Sequence, residues 1–232
     1  HRHRVYAAMI HALDRSVGRV LDKLEAEGLA DNTIVVLSSD NGGAGYIGLP
    51  EVNAPYRGWK ITLFEGGIRV PMFVKWPQQI AAGTVVDTPV AHIDLLPTLA
   101  AAAGAPLPTD RVIDGRNLLP AATGTGSIER PNDAIFWQSG FYHVVRAGDW
   151  KLQVNSKQDM VWLFDLASDP TEQTNLADTR PEKVAELQAL LDAHHADSVG
   201  PLYAHQIESP IAIDKTIDQE IEEGDEYVLW AN

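Results

Sequence analysis

A short β-branched run that ends in two oxygen-bearing side chains does most to limit what this chain can fold into. Residues 33–37, TIVVL, show no polar alternation, which predicts a strand covered on both faces, and the run closes in Ser38, Ser39, Asp40, Asn41 and Gly42. Before it, Met9, Leu13, Val17, Val20 or Leu21, and Leu24 recur at helical spacing, predicting a helix with one buried face that stops near Gly28. A helix leading directly into a buried strand predicts an α/β layer structure with a parallel sheet. In such sheets ligands gather beyond the carboxyl ends of the strands, where Asp40 stands.

The rest of the chain builds outward from that point. Residues 42–56 are rich in Gly and Pro and read as a long loop, and 71–76 as a second buried strand. In HIDLLPTLAAAAG, Asp94 is placed to cap a helix that tolerates Pro97 in its first turn and ends at Gly104. A composition shift over 123–131 predicts a linker. Beyond it AIFWQ, YHVVRAG, WKLQV and VWLFDL, separated by Gly, Asp or Asn, predict an antiparallel sheet. A helix over 181–193 follows, with Val184, Leu187, Leu190 and Leu191 on one face. The organisation expected is therefore a larger α/β unit over 1–125, an antiparallel-sheet unit over 126–200 and an acidic tail over 201–232.

Composition removes several function classes. A net charge of -14 argues against nucleic acid, whose phosphates require clustered Lys and Arg. Much of the excess lies in the tail, where Glu208, Asp214, Asp218, Glu220, Glu222, Glu223, Asp225 and Glu226 face only Lys215 and read as a solvated surface. No apolar run reaches the roughly 20 residues of a membrane helix, so no span is expected. Without cysteine there are no disulfides, thiolate metal sites or cysteine nucleophiles. The basic, amphipathic start does not read as a signal peptide, and a chain that begins with His1 is compatible with a partial or processed one.

Asp40-Asn41-Gly42 has two readings: a common turn, or a pair of hard oxygen donors suited to calcium or magnesium. Two donors are too few for either ion, so further oxygens would have to come from elsewhere. Lys60, among Arg57, Gly58 and Trp59, is a compact cation suited to a tetrahedral anion, and the alternative is an ordinary surface lysine. Glu65 and Arg69 flank the Gly66-Gly67 turn and read as a structural brace. Of the histidines, His1, His3, His194 and His195 read as surface residues, His11 as a packing or surface residue and His92 as locally bonded. His143 is the candidate to line a substrate pocket near the domain boundary.

Taken in order, YAAMIHALDRSVGRVLDKLEAEGLADNTIVVLSSDNG, RGWKITLFEGGIRVP, HIDLLPTL, RAGDWKL and LFDLASDPTEQTNLAD resemble the C-terminal half of the sulfatase family, the arylsulfatase branch of the alkaline phosphatase superfamily. The resemblance runs to about Asp197 and implies part of a mixed-sheet α/β sandwich followed by a small domain with a four-stranded antiparallel sheet and a packed helix. It implies that Asp40 and Asn41 ligate calcium, with magnesium a possible substitute, and that Lys60 contacts the sulfate of a sulfate-ester substrate. It also suggests a periplasmic or extracellular bacterial location.

The departures are equally specific. The family's formylglycine nucleophile arises in a C/S-x-P-x-R motif that this chain lacks; Ser168-Asp169-Pro170-Thr171-Glu172 has Glu where Arg is required. The family's other two calcium aspartates and its catalytic histidine and arginine also have no counterpart, so the nucleophile is expected in a missing N-terminal half that would be this chain's partner. The function expected is that of a sulfuric ester hydrolase whose C-terminal portion is inactive alone. The alternatives are a phosphonate or phosphodiester hydrolase on the same scaffold, or a non-catalytic stand-alone module.

Overall fold

The computed structural model describes residues 3–231, and His1 therefore lies outside the described residues. Its elements run α1 (Arg4–Ala26), β1 (Val35–Ser38), α2 (Glu65–Ile68), β2 (Met72–Lys75), α3 (Leu95–Ala102) and α4 (Leu119–Ala122). These are followed by β3 (Ala134–Ser139), β4 (Tyr142–Ala147), β5 (Trp150–Asn155), β6 (Met160–Asp165), α5 (Pro181–Ala196), β7 (Glu208–Ala212) and β8 (Tyr227–Ala231). The chain divides into two compact units, one of residues 1–38 and 72–128, the other of residues 39–71 and 129–232.

In the first unit α1 forms as its spacing predicts, yet none of its residues is buried; Val5 is 76% and Met9 63% exposed. The parallel sheet expected from the sequence is replaced by an antiparallel pair. The chain leaves β1 at Ser38 and returns at Met72 directly opposite, so Val35 pairs with Lys75 and Ser38 with Met72. Nor are these strands covered on both faces: Leu37 and Phe73 are largely exposed, while Val36 and Met72 line an apolar hollow with Leu95, Leu99 and Leu118. Asp94 does not cap α3 through its side chain. Instead its fully buried carboxylate accepts the N–H of Ala91 at 2.8 Å and that of Arg116 at 2.7 Å, and so ties the turn before the helix to the irregular segment after it.

The second unit is built on the antiparallel sheet β3-β4-β5-β6, and here the alternation seen in sequence is what the structure uses. One face presents Ala134, Val145, Leu152 and Leu163 to Leu187 and Leu191 of α5. The other presents Tyr142, Val144, Trp162 and Phe164 to Phe64, Ile213 and Val228. Burying each of these large side chains contributes about 1.5–3 kcal/mol, which makes this two-sided sheet the stable core of the unit.

Ile213 and Val228 belong to the stretch read as a solvated acidic tail. The structure corrects that reading: Ser209, Ile211 and their neighbours in β7 pair antiparallel with β8, and both Ile213 and Val228 are fully buried. Most of the acidic side chains keep access to solvent, Asp214 and Glu226 while also pairing with Arg57, and the apolar residues spaced between them complete the core. Average charge concealed that spacing.

Candidate functional site

The residues singled out around Asp40 and Lys60 all belong to the second unit, where two loops are tied by main-chain bonds. Gly42 donates its N–H to the carbonyl of Gly67 at 2.9 Å, and Lys60 donates its N–H to the carbonyl of Gly43 at 3.0 Å. The side chain of Asn53 supplies the third tie: its Oδ1 accepts from the N–H of Gly43 at 2.7 Å, while its Nδ2 donates to the carbonyls of Gly43 and Gly58, both at 2.9 Å. One amide thus fixes the start of the long loop against the turn that carries Lys60.

Glycine is required where these loops touch. A Cβ on Gly42 would lie 1.7 Å from the carbonyl oxygen of Gly66, and one on Gly67 2.0 Å from that of Thr62. Gly58 has φ +81°, in the left-handed region that glycine adopts without steric cost. The Gly66-Gly67 turn, the start of α2, is consequently pressed onto the Arg57–Lys60 turn, with Gly66 donating to the carbonyl of Arg57 at 2.6 Å.

Beneath the turn lies a buried polar network that the sequence did not reveal. The ammonium of Lys151, wholly inaccessible, sits 2.9 Å from Glu65 Oε1 and 2.9 Å from Glu172 Oε1. Glu172 Oε2 accepts the N–H of Glu65 at 2.5 Å, and Gln153 Nε2 donates to Glu172 Oε1 at 3.0 Å. The hydroxyl of Tyr142 donates to Gln153 Oε1 and accepts the N–H of Leu63 at 3.3 Å. Burial is the largest single influence on the Glu65 carboxyl and would raise it, but the charge and hydrogen bond of Lys151 together with the charges of Arg146 and Arg69 hold it below the usual range. For Glu172 burial is the stronger influence and its carboxyl is pushed up.

The brace read from Glu65 and Arg69 is present at 3.6 Å, but the closer partner of Glu65 is Lys151. Glu172, the residue that spoils the nucleophile-like Ser168–Glu172 motif, is a buried structural carboxyl group with φ +58°.

Against this background the candidate residues differ from their surroundings. Asp40 is exposed, Lys60 is half-buried, and neither side chain has a hydrogen-bond or ion-pair partner among the described residues. Asn41 Nδ2 donates to the carbonyl of Gly42 at 2.9 Å, while its Oδ1 receives no hydrogen bond among the described residues. Two adjacent unspent oxygens and one unspent cation thus stand on loops whose main chain is locked. As a metal centre the set is incomplete: among the described residues no cluster of three His, Cys, Asp or Glu side chains is formed.

His143 lies elsewhere in the unit, on β4, with its Nδ1 2.6 Å from Nε2 of His195 on α5. Burial, followed by the proximity of His195, lowers its pKa to about 4. His194 stacks on Phe136 with ring centroids 4.1 Å apart, so the two helix-end histidines are half-buried packing residues rather than the solvated ones expected. His92 bonds across the first unit, its Nε2 3.2 Å from Ser38 Oγ, rather than locally as expected.

Comparison with known proteins places this arrangement. The sulfatase family model matches residues 1–105, and that of N-sulphoglucosamine sulphohydrolase, C-terminal, matches residues 57–197. A solved structure described as Ps i-CgsB in complex with k-i-k-neocarrahexaose superposes with a TM-score of 0.77 at 30% identity, over 87% of this chain and 45% of that one. The steryl-sulfatase of Rattus norvegicus is 45% identical over 131 residues, covering 53% of this chain and 22% of its own length. A sulfatase of Formosa agariphila is 35% identical over 207 residues, covering 79% of this chain and 37% of its own length. The mixed α/β fold with antiparallel sheets and a C-terminal helix is that of an alkaline-phosphatase-like hydrolase scaffold. The chain belongs to the sulfatase family. It spans well under half the length of the relatives it matches.

Proposed function

We propose that the chain carries one side of the sulfate-ester site of a sulfuric ester hydrolase. Lys60 binds a sulfate oxygen, and Asp40 and Asn41 supply two of the oxygen ligands of a calcium ion, with magnesium an alternative. The observation that carries this reading is the pattern of unspent groups. Glu65, Lys151, Glu172 and Arg57 are all held by one another or by neighbours, whereas Lys60 and Asp40 have no partner and the amide oxygen of Asn41 accepts nothing among the described residues.

The donor set fits a hard divalent cation in kind, one carboxylate and one amide oxygen, and leaves the remaining ligands to other groups. Bound there, calcium would neutralise charge on the sulfate oxygens. What the chain itself contributes is position. The Gly43 and Gly67 carbonyl bonds fix the loop ends, so the ammonium of Lys60 can meet anionic charge with little reorganisation. With no cysteine and no C/S-x-P-x-R sequence, the chain supplies no formylglycine, and its turnover alone is expected to be nil.

Titration with inorganic sulfate in calcium-containing buffer tests the reading. Lys60→Ala should weaken binding about tenfold or more, the loss expected when a charged hydrogen bond of about 1.5–3 kcal/mol is removed. Equal affinity in the variant and the parent would overturn the assignment, and hydrolysis of an aryl sulfate by the chain at a rate above that of Lys60→Ala would overturn the expectation of nil turnover.

A further inference from the structure

The acidic C-terminal segment lies beyond both family-model matches, which end by residue 197, yet it grips the turn that carries Lys60. Arg57 Nε donates to Asp214 Oδ1 at 2.8 Å and its Nη2 to Asp214 Oδ2 at 2.5 Å, a two-pronged pair. The same Nη2 lies 2.6 Å from Glu226 Oε2, and Nη1 donates to the carbonyl of Glu172 at 3.0 Å. Glu226 Oε1 accepts from Trp162 Nε1 at 3.1 Å, and Ile213 donates its N–H to the carbonyl of Glu226 at 3.0 Å, closing the segment into a loop. The guanidinium also lies 5.2 Å from the centre of the Phe64 ring.

Four of the five N–H donors of Arg57 are thus engaged and its charge is met by two carboxylates, so it is poorly placed to serve an anion although it stands only three residues before Lys60. Its carbonyl meanwhile holds the N–H of Gly66 at 2.6 Å, so fixing the guanidinium fixes the main chain from which the Lys60 turn departs. The segment touches the opposite side of the site as well. Ile217 donates its N–H to the carbonyl of Gly45 at 3.3 Å, two residues beyond the Gly43 carbonyl that accepts from Lys60.

We propose that Asp214 and Glu226, acting through Arg57, are positioning residues for Lys60: the C-terminal segment holds the Arg57–Lys60 turn in the conformation that presents the ammonium, so that sulfate affinity depends on two carboxylates that do not touch the anion. This rests on Lys60 being the sulfate contact. Asp214 and Glu226 are each roughly half exposed, but the Arg57 side chain is only 10% exposed, so removing both carboxylates leaves a largely buried guanidinium without counter-charge and lowers stability as well as loosening the turn; the two-sided sheet, which does not depend on these pairs, remains. Their removal should loosen the turn and leave the fold standing.

The experiment compares the full chain with the Asp214→Asn/Glu226→Gln double variant by amide hydrogen exchange, thermal unfolding and titration with inorganic sulfate. Expected are a lowered but still cooperative thermal transition, exchange at the Lys60 and Gly66 amides faster by about tenfold at a temperature where the variant is folded, and sulfate affinity lower by a similar factor. Asp214→Glu alone, which keeps a carboxylate, should recover much of both. Arg57→Lys should not, since a lysine cannot make the two-pronged contact. Unchanged exchange at the Lys60 amide overturns the proposal, as does faster exchange with sulfate affinity intact in a protein whose affinity Lys60→Ala abolishes. If the parent chain binds no sulfate, the sulfate reading of Lys60 fails, and the exchange data alone decide whether the segment holds the turn.

Discussion

At the scale of single residues the most consequential group is Lys151, a cation with no access to solvent held between two carboxylates. Burying these charges is costly, and only their mutual contacts and the surrounding donors offset the loss of water. Removing one partner leaves the others uncompensated, so Lys151→Met should destabilise the chain by about 3–5 kcal/mol, readable in denaturant unfolding. A loss below about 1 kcal/mol would show that the carboxylates find other partners. The two acids act in opposite directions on pH dependence. Glu65, depressed by Lys151, contributes stability that is present above its unfolded pKa and lost as pH falls through its folded one. Glu172, raised by burial, contributes stability that is present below its unfolded pKa and lost as pH rises through its folded one. In Lys151→Met the main support that holds Glu65 down is gone, leaving only Arg146 and Arg69, and the acid-side loss should shrink along with overall stability.

At the scale of elements, α5 is docked on the sheet by Leu187 and Leu191 and closed at its C-terminal end by the His143–His195 bond. That bond needs one ring nitrogen to donate and the other to accept. The folded pKa of His143, about 4, lies below its ordinary value of 6.5, so as pH falls below 6.5 the unfolded chain gains a proton that the folded one refuses. Stability is therefore lost from about 6.5 down through about 4. His143→Gln keeps a polar partner for His195 without the titration; its melting temperature should fall less steeply over that interval, at a cost near neutrality of about 1 kcal/mol. An unchanged slope would mean that the histidine pair does not couple α5 to pH.

Elements of this kind were legible where local patterning decides the outcome. The alternating, turn-bounded runs of β3 to β6 and the apolar spacing of α5 are satisfied inside their own unit, so sequence period and observed burial agree. The strand ending before Asp40 was legible as a strand but not in its pairing, because an unbroken apolar run looks the same whether its partner is parallel or not. Asp94 carries the residue type of a cap, yet spends one oxygen backward on Ala91 and the other on Arg116, 22 residues further on. In the site, Asp40, Asn41 and Lys60 stood out by residue type and order. Arg57 did not, because its carboxylate partners lie 157 and 169 residues away, a separation no local pattern encodes. Glu172 was hidden for the same reason, its bond to the Glu65 N–H spanning 107 residues, whereas Asn53 bonds within its own loop and was hidden because an asparagine there looks like any turn residue.

At the scale of the whole molecule, apolar surface is distributed unevenly. The second unit buries its sheet on both faces, whereas the helix α1 carries an apolar stripe of Val5, Met9, Leu13 and Val20 that is 76%, 63%, 57% and 58% exposed. Leu37 and Phe73 of the β1–β2 pair add to it at 47% and 64%. Scattered exposed apolar residues are ordinary, but a periodic stripe on a helix together with an exposed two-stranded edge is surface built to be covered. No helix among the described residues is long and apolar enough to cross a membrane, so the stripe is not a transmembrane span. In solution the isolated chain should therefore self-associate, driven by about 25 cal/mol for each Å² of apolar surface removed from water. Sedimentation velocity over a dilution series should show a mass that rises with concentration, and a dye that binds exposed apolar surface should fluoresce strongly. Replacing Met9 and Leu13 together by Gln should lower both signals without weakening the second unit's cooperative unfolding. A chain that stays monomeric across the series, with no dye binding, would overturn the reading of the α1 stripe and the β1–β2 edge as an association surface.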